Sequence, residues 1–181
     1  MVSGLIPNRY AKALYKFALE HGKAEEVYGE MQNVISSFEA NADLEKVMSN
    51  PNIDNKDKEN LLIKAAGEHP GDAYNRFVKL ILDHKREAFA YLMALAYRNI
   101  YREANNISQV KIQTAAQLPA TEETKLKDLV IKSFPGRTLE FTTVVNPDLI
   151  GGFVIDVDST RLDASLSNEL EQLRQNLIRS N

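Results

Sequence analysis

Through the first hundred residues the apolar positions recur every three or four residues; beyond them the repeat drops to two. In 23–41, Val27, Met31, Val34, Ile35 and Phe38 make one helical face, and in 72–85 Phe77, Leu80, Ile81 and His84 make another. The stretch 8–21 is rich in helix formers and is stopped by Gly22. A short helix over 44–48 ends at Asn50-Pro51, and one over 54–66 opens on Asp54, a capping residue, and closes at Gly67. Residues 87–103 are apolar on nearly every face through their middle, as a helix buried among others must be. Short links between these segments predict a six-helix bundle over 1–105.

Asn105-Asn106 ends that pattern. Residues 108–114 alternate, with Val110 and Ile112 on one side and Lys111 and Gln113 on the other, which predicts a strand. A helix follows over 119–133, with Thr121 placed to cap it and Glu122 and Glu123 at its positive end, and Pro135-Gly136 stops it. Leu139, Phe141, Thr143 and Val145 alternate again; Asn146-Pro147-Asp148 turns the chain; Phe153, Ile155 and Val157 form the inward side of a further strand. A last helix is expected over 163–179, capped by Asp163, with Leu162, Leu166, Leu170, Leu173 and Leu177 spaced four, four, three and four apart. The expected fold is mainly α with a small α+β part: the bundle, then a smaller mixed domain over 106–181 with a short sheet and two helices.

Composition narrows what such a chain does. Among 181 residues there is no cysteine, so disulfides and thiolate chemistry are excluded. Net charge is −3; residues 1–105 carry 14 basic and 15 acidic side chains and residues 106–181 carry 8 and 10, so neither half is a basic nucleic-acid module. The longest apolar run, Ala88 to Tyr97, is closed by Glu87 and Arg98 and falls well short of the ~20 residues a membrane span needs. The start of the chain lacks the layout of a secretion signal, so the whole chain is read as mature and cytosolic, meeting a membrane only through a partner.

Chemistry-bearing patterns are sparse. No G-x-G-x-x-G or phosphate loop occurs, and Gly151-Gly152 precedes a strand, where a tight turn explains the pair better than a phosphate cradle. His21, His69 and His84 lie near helix ends without metal-ligand spacing, so no metal or cofactor is expected. Asp156, Asp158 and Asp163 do not match a calcium loop; the first two share the outward face of a strand. Asn106-Ile107-Ser108 matches a glycosylation acceptor only formally, given the absence of a secretion signal.

Interaction surface is what remains. The first helix has two apolar edges, Tyr10, Ala13, Leu14 and Phe17 on one and Ala11, Tyr15 and Ala18 on the other. Either it is buried deep in its own bundle, or the second edge helps form a groove for another helix. The C-terminal leucine stripe has the same two readings: packing on its own sheet, which periodicity by itself favours, or meeting a coiled-coil partner.

Two stretches carry a family resemblance. NRYAKALYKFALEHG resembles the opening helix of the delta subunit of bacterial F-type ATP synthases, whose mitochondrial counterpart is the oligomycin-sensitivity-conferring protein. NPDLIGGFVIDVDSTRLDASLSNELEQLRQNLI resembles the family's C-terminal signature, carried here by Leu149, Ile150, Gly151, Gly152, Phe153, Val154, Ile155, Asp163, Ala164, Ser165, Leu170 and Leu173. Ala164 stands where many members have glycine, and Ser167 and Glu169 where many have a basic helix start, so a salt-bridge pattern to the stalk does not transfer.

The resemblance covers nearly the whole chain and implies a non-catalytic stator. The helical domain is expected to bind N-terminal segments of the alpha subunits in a groove between the first and fifth helices, with Tyr10, Ala13, Leu14 and Phe17 on one wall and Arg76, Lys79, Leu80 and Asp83 on the other. The C-terminal domain is expected to meet the ends of the peripheral-stalk b subunits, with Leu166, Leu170, Leu173 and Leu177 as contacts; Gly151, Gly152, Phe153, Asp163 and Ser165 are the structural signature. The place implied is the cytoplasmic face of the bacterial inner membrane, peripherally, with no cofactor and no nucleic acid. The alternatives are a small enzyme with an unrecognised site and a helical nucleic-acid adaptor; the missing nucleophile–base pairs and the near-neutral domains count against them.

Overall fold

A computed structural model describes residues 4–179, and the chain divides at Ala104 and Asn105 into two compact units. The first holds α1 (Leu5–Glu20), α2 (Ala24–Ala40), α3 (Asp43–Ser49), α4 (Asn55–Ala66), α5 (Asp72–Asp83), a 3-10 turn (Glu87–Phe89) and α6 (Ala90–Ala104). Helix α1 starts earlier than the sequence pattern suggests because Pro7 sits in its first turn, where a missing N–H costs nothing. Helix α6 lies against α1 and α2, and α4 lies against α2 and α5. Ala11, Ala18, Met31, Met93, Ala94 and Tyr97 are among the side chains buried at the centre; the small ones let the helices approach closely.

Polar groups in this core are matched to backbone ends. Tyr74 Oη donates to Leu62 O at 2.9 Å and Tyr97 Oη to Ala24 O at 3.0 Å, and burial pushes both phenols well above their ordinary range. From α2, Asn33 Nδ2 and Ser37 Oγ donate to the carbonyls of Ala66 and Ala65, satisfying the end of α4. Asp54 holds the N-cap position of α4, but its side chain makes no capping bond. Glu30 accepts the Gly71 N–H at 2.5 Å and so fixes where α5 begins. Lys58 is buried and lies 2.7 Å from Glu87, tying α4 to the 3-10 turn. Such a pair fixes geometry more than it adds stability, because both charges lose their water.

The second unit holds β1 (Ile107–Thr114), α7 (Ala120–Ser133), β2 (Thr138–Val145), a 3-10 turn (Pro147–Leu149), β3 (Gly152–Val157), β4 (Thr160–Ser165) and α8 (Leu166–Arg179). The strand order is β2-β1-β3-β4. Strands β1 and β2 are parallel, joined through α7, while β3 runs antiparallel to β1 and β4 to β3. Val110 pairs with Phe141 and Val157, and Ile112 with Ile155, so the apolar sides fall on one face and meet Val130 of α7.

Here the structure departs from the sequence reading in four places. The sheet has a fourth strand, so the last helix begins at Leu166 rather than at 163, and Leu162 belongs to β4 opposite Ile155. Pairing with β3 across the Asp158-Ser159 turn overrides the helical spacing of the leucines. Asp163 is therefore no helix cap. It lies in β4 and accepts from the Ser165 hydroxyl at 2.6 Å and the Ser165 N–H at 3.1 Å, bonds that hold its carboxyl below the usual range. Ser165 does the capping, its Oγ accepting the Asn168 N–H at 3.3 Å. Thr121 likewise lies inside the first turn of α7, behind Pro119 at the N-cap. Asp158 leaves the strand face for the turn, with φ of 49°, and accepts from Gln109 N and Arg137.

Candidate functional site

Helix α1 uses its two edges differently. Ala11, Leu14 and Ala18 are buried in the unit, whereas Tyr10 and Phe17 are half-buried and Ala13 is exposed. On α5, Phe77, Val78, Ile81 and Leu82 are buried, but Leu80 keeps 43% of its surface exposed. The leftover apolar positions face one another across a groove of about 330 Å³, lined by Tyr10, Ala13, Leu14 and Phe17 from α1 and by Ala73, Arg76, Phe77 and Leu80 from α5.

The groove continues at one end into a cavity of about 440 Å³ that adds Ile6, Arg9, His84 and Arg86. Tyr10 meets His84 edge-on, ring centroids 6.4 Å apart. The start of α1 thus faces the end of α5, and the two helices run antiparallel along the groove. His84 Nδ1 lies 2.8 Å from Leu80 O, and His21 Nδ1 2.8 Å from Phe17 O. A carbonyl only accepts, so each Nδ1 carries the proton and each ring is held at its helix end.

Six of the eight residues expected at this place line the groove; Lys79 and Asp83 do not. They sit one row round α5 from the stripe Ala73, Arg76, Phe77, Leu80 and His84. The steps of three and four through Leu80 were the signal that finds Ala73, Phe77 and His84. Nothing in the spacing marks Arg9 and Arg86, which reach the groove because the two helix ends meet.

The second unit leaves a different surface. Leu166, Leu170 and Leu173 are 47%, 55% and 59% exposed, so α8 does not pack this stripe on its own sheet, and that expectation is overturned. The helix packs against β4 and against the 3-10 turn before β3. The side chain of Leu177 lies outside the described residues.

The glycine pair builds the start of α8. Gly152 has φ of 73°, and a Cβ there would run into the backbone carbonyl of Ala164 on the paired strand. Gly151 O accepts the Leu166 N–H at 3.1 Å. Among the described residues no group of three His, Asp or Glu is placed to hold a metal, and no helix is long and apolar enough to cross a membrane. What the described residues leave uncovered is apolar surface: the α1/α5 groove and the leucine stripe of α8.

Comparison with known proteins places the chain in a family. The family model described as the ATP synthase delta (OSCP) subunit matches residues 6–177. The "ATP synthase subunit delta" of Phocaeicola vulgatus is 35% identical over 182 residues, covering 100% of this chain and 98% of its own. That of Parabacteroides distasonis is 35% identical over 175 residues, covering 97% of each. A chain in the cryo-EM structure of the Toxoplasma gondii mitochondrial ATP synthase hexamer shares the fold, with a TM-score of 0.72 at 18% identity, covering 97% of this chain and 98% of its own.

Proposed function

The chain belongs to the ATP synthase delta (OSCP) family of non-catalytic stator subunits, and on that premise we propose that its two units hold the catalytic head to the peripheral stalk at separate surfaces. The six helices of the first unit act as one bundle presenting the α1/α5 groove, and the groove receives an amphipathic N-terminal helix of an alpha subunit. The observation that carries this is the apolar groove itself, which leaves Leu80 and Ala13 uncovered beside the core-facing residues of the same two helices. From Ile6 to Phe17 it extends about 16 Å at 1.5 Å per residue, room for three turns of a partner helix.

In the second unit, the exposed leucines of α8 meet the C-terminal ends of the b subunits. A helix bearing a stripe of uncovered leucines gains by burying them against another helix, at about 25 cal/mol for each Å² removed from water. The chain works at the cytoplasmic face of the bacterial inner membrane, attached through the complex. Its task is mechanical: an unheld head would turn with the rotor, and ion-driven torque would do no work on the nucleotide sites.

Membranes stripped of this chain test the proposal. ATP hydrolysis by the head should persist, gradient-driven synthesis should be lost, and adding back the folded protein should restore synthesis. Stripped membranes that make ATP at the normal rate would overturn it. Saturable nucleotide turnover by the isolated chain would favour an enzyme instead.

A further inference from the structure

The two walls of the groove repeat one another. Shifted by 63 positions, Tyr10, Leu14, Phe17 and His21 of the first segment fall on Ala73, Phe77, Leu80 and His84 of the second. Both helices also end alike. A residue at positive φ, Gly22 at 65° and Lys85 at 54°, follows each histidine. The next N–H then reaches back to close the helix, Lys23 to Ala18 O and Arg86 to Ile81 O, at 2.7 Å in both. Matched walls on antiparallel helices make a groove with an approximate two-fold across its middle. Apolar contact alone gives such a groove little means of telling one direction of a bound helix from the other.

Charge breaks the equivalence. Arg9 falls on Asp72 under the same shift, so the corresponding positions at the two ends carry opposite signs. At the Arg9 end the groove opens into the larger cavity, whose ionisable lining groups are Arg9, Arg86, His84 and the phenol of Tyr10, with no carboxylate among them. Among the described residues no ion pair engages either arginine. At the other end Arg76 is already opposed by Asp72 at 3.2 Å.

We propose that Arg9 and Arg86 set the direction in which the groove accepts its helix, by receiving carboxylates carried at one end of that helix. The inference rests on the reading of the groove as a site for the N-terminal helix of an alpha subunit. The occupant has an apolar face over Leu14, Phe77 and Leu80, and its acidic end lies over the Arg9–Arg86 cavity. Carboxylate placed at the opposite end meets Asp72 and an arginine that is already paired. The apolar groove supplies attraction, and the two arginines supply direction.

The test uses the full chain and a synthetic peptide of the N-terminal segment of the alpha subunit. Arg9→Glu with Arg86→Glu should weaken binding about tenfold or more at low salt and flatten its salt dependence. Lys12→Glu with Lys16→Glu changes the net charge equally but lies off the groove, and it should bind within about twofold of the unaltered chain. A peptide with its carboxylates replaced by lysine should be rejected by the unaltered chain and accepted by the Arg9→Glu/Arg86→Glu chain. Unchanged affinity and salt slope in that variant, with its helical content intact, would overturn the proposal. So would an equal loss in the Lys12/Lys16 control, which would mean a diffuse field rather than a local contact. If the unaltered chain binds no peptide at all, the groove reading fails first and this inference falls with it.

Discussion

The groove on the first unit and the leucine helix on the second are both apolar surfaces left over after folding, and they are built in opposite ways. The groove is concave and backed by a large core: Leu14 and Phe77 line it while themselves nearly buried. Helix α8 is convex, and Leu166, Leu170 and Leu173 stand in solvent. A concave site on a stiff core is formed before its partner arrives, so binding costs little ordering. A convex stripe of exposed leucines is buried only when a partner covers it. The sizes of the two cores fit this difference, since among the described residues five buried hydrophobic side chains cluster in the second unit against more than twenty in the helical unit.

The comparison breaks most sharply at Gly152. Valine there would need a β-branched side chain at φ of 73° and would push into the Ala164 carbonyl. A loss on the order of 3 kcal/mol or more is expected, enough to melt a unit with so small a core. Calorimetry should show the second unit's transition lost and the helical unit's kept, with alpha-peptide binding intact. A variant with both transitions at their usual temperatures would mean that the glycine is not required by the backbone.

Next in size is Ala13→Asp. Ala13 is exposed in the free chain, so thermal stability should hold. A carboxylate trapped beneath a docked helix should cost about 1–3 kcal/mol, roughly 5- to 150-fold in affinity for the alpha-derived peptide. Titration calorimetry reads this directly; full affinity in the folded variant would remove that wall from the site.

Leu170→Ser with Leu173→Ser tests the other surface. Because both side chains stand in solvent, stability should change by less than about 0.5 kcal/mol, while retention of the C-terminal segment of the peripheral stalk should fall. A clear drop in melting temperature would show that the stripe is packed in solution and would erase the contrast between the surfaces.

The smallest effect concerns Glu30, which sets the start of the α5 wall as Ser165 sets the start of α8. Burial raises the Glu30 carboxyl above its ordinary range, outweighing the Gly71 N–H that favours the charged form. The folded state therefore holds this proton to higher pH than the unfolded chain. Its contribution is present in acid and is lost as pH rises through the raised value. Glu30→Gln should make stability less dependent on pH near the acidic end, with its advantage over the unaltered chain growing toward neutrality. A parallel pair of stability–pH curves would refute this.

Much of this was open to inspection in the residues. The helices of the first unit, the alternation in β1 to β3, the break at Asn105-Asn106 and the surplus apolar edge of α1 follow from local periodicity, which records which side of an element faces the core. The glycine pair marked a turn because only glycine sits easily at that backbone angle beside another strand. Thr160–Ser165 was hidden because Leu162 and Leu166 have helical spacing, and only the partner strand β3 makes the first of them a strand residue. The exposure of α8 was hidden for a related reason: a leucine stripe reads the same whether its cover is the sheet or another chain.

Sequence alone therefore determined the helices of the first unit, three of the four strands and the change from a helical to a mixed pattern near Asn105, because spacing and residue type act within a few residues of each other. Tertiary structure decided what those elements left uncovered. It brought Arg9 beside Arg86, positions far apart in the chain, by laying α1 antiparallel to α5. It turned Asp163 from an apparent cap into a strand residue by pairing β4 with β3. Those outcomes depend on which surfaces meet, and a surface is shared between distant segments in a way that no local pattern records.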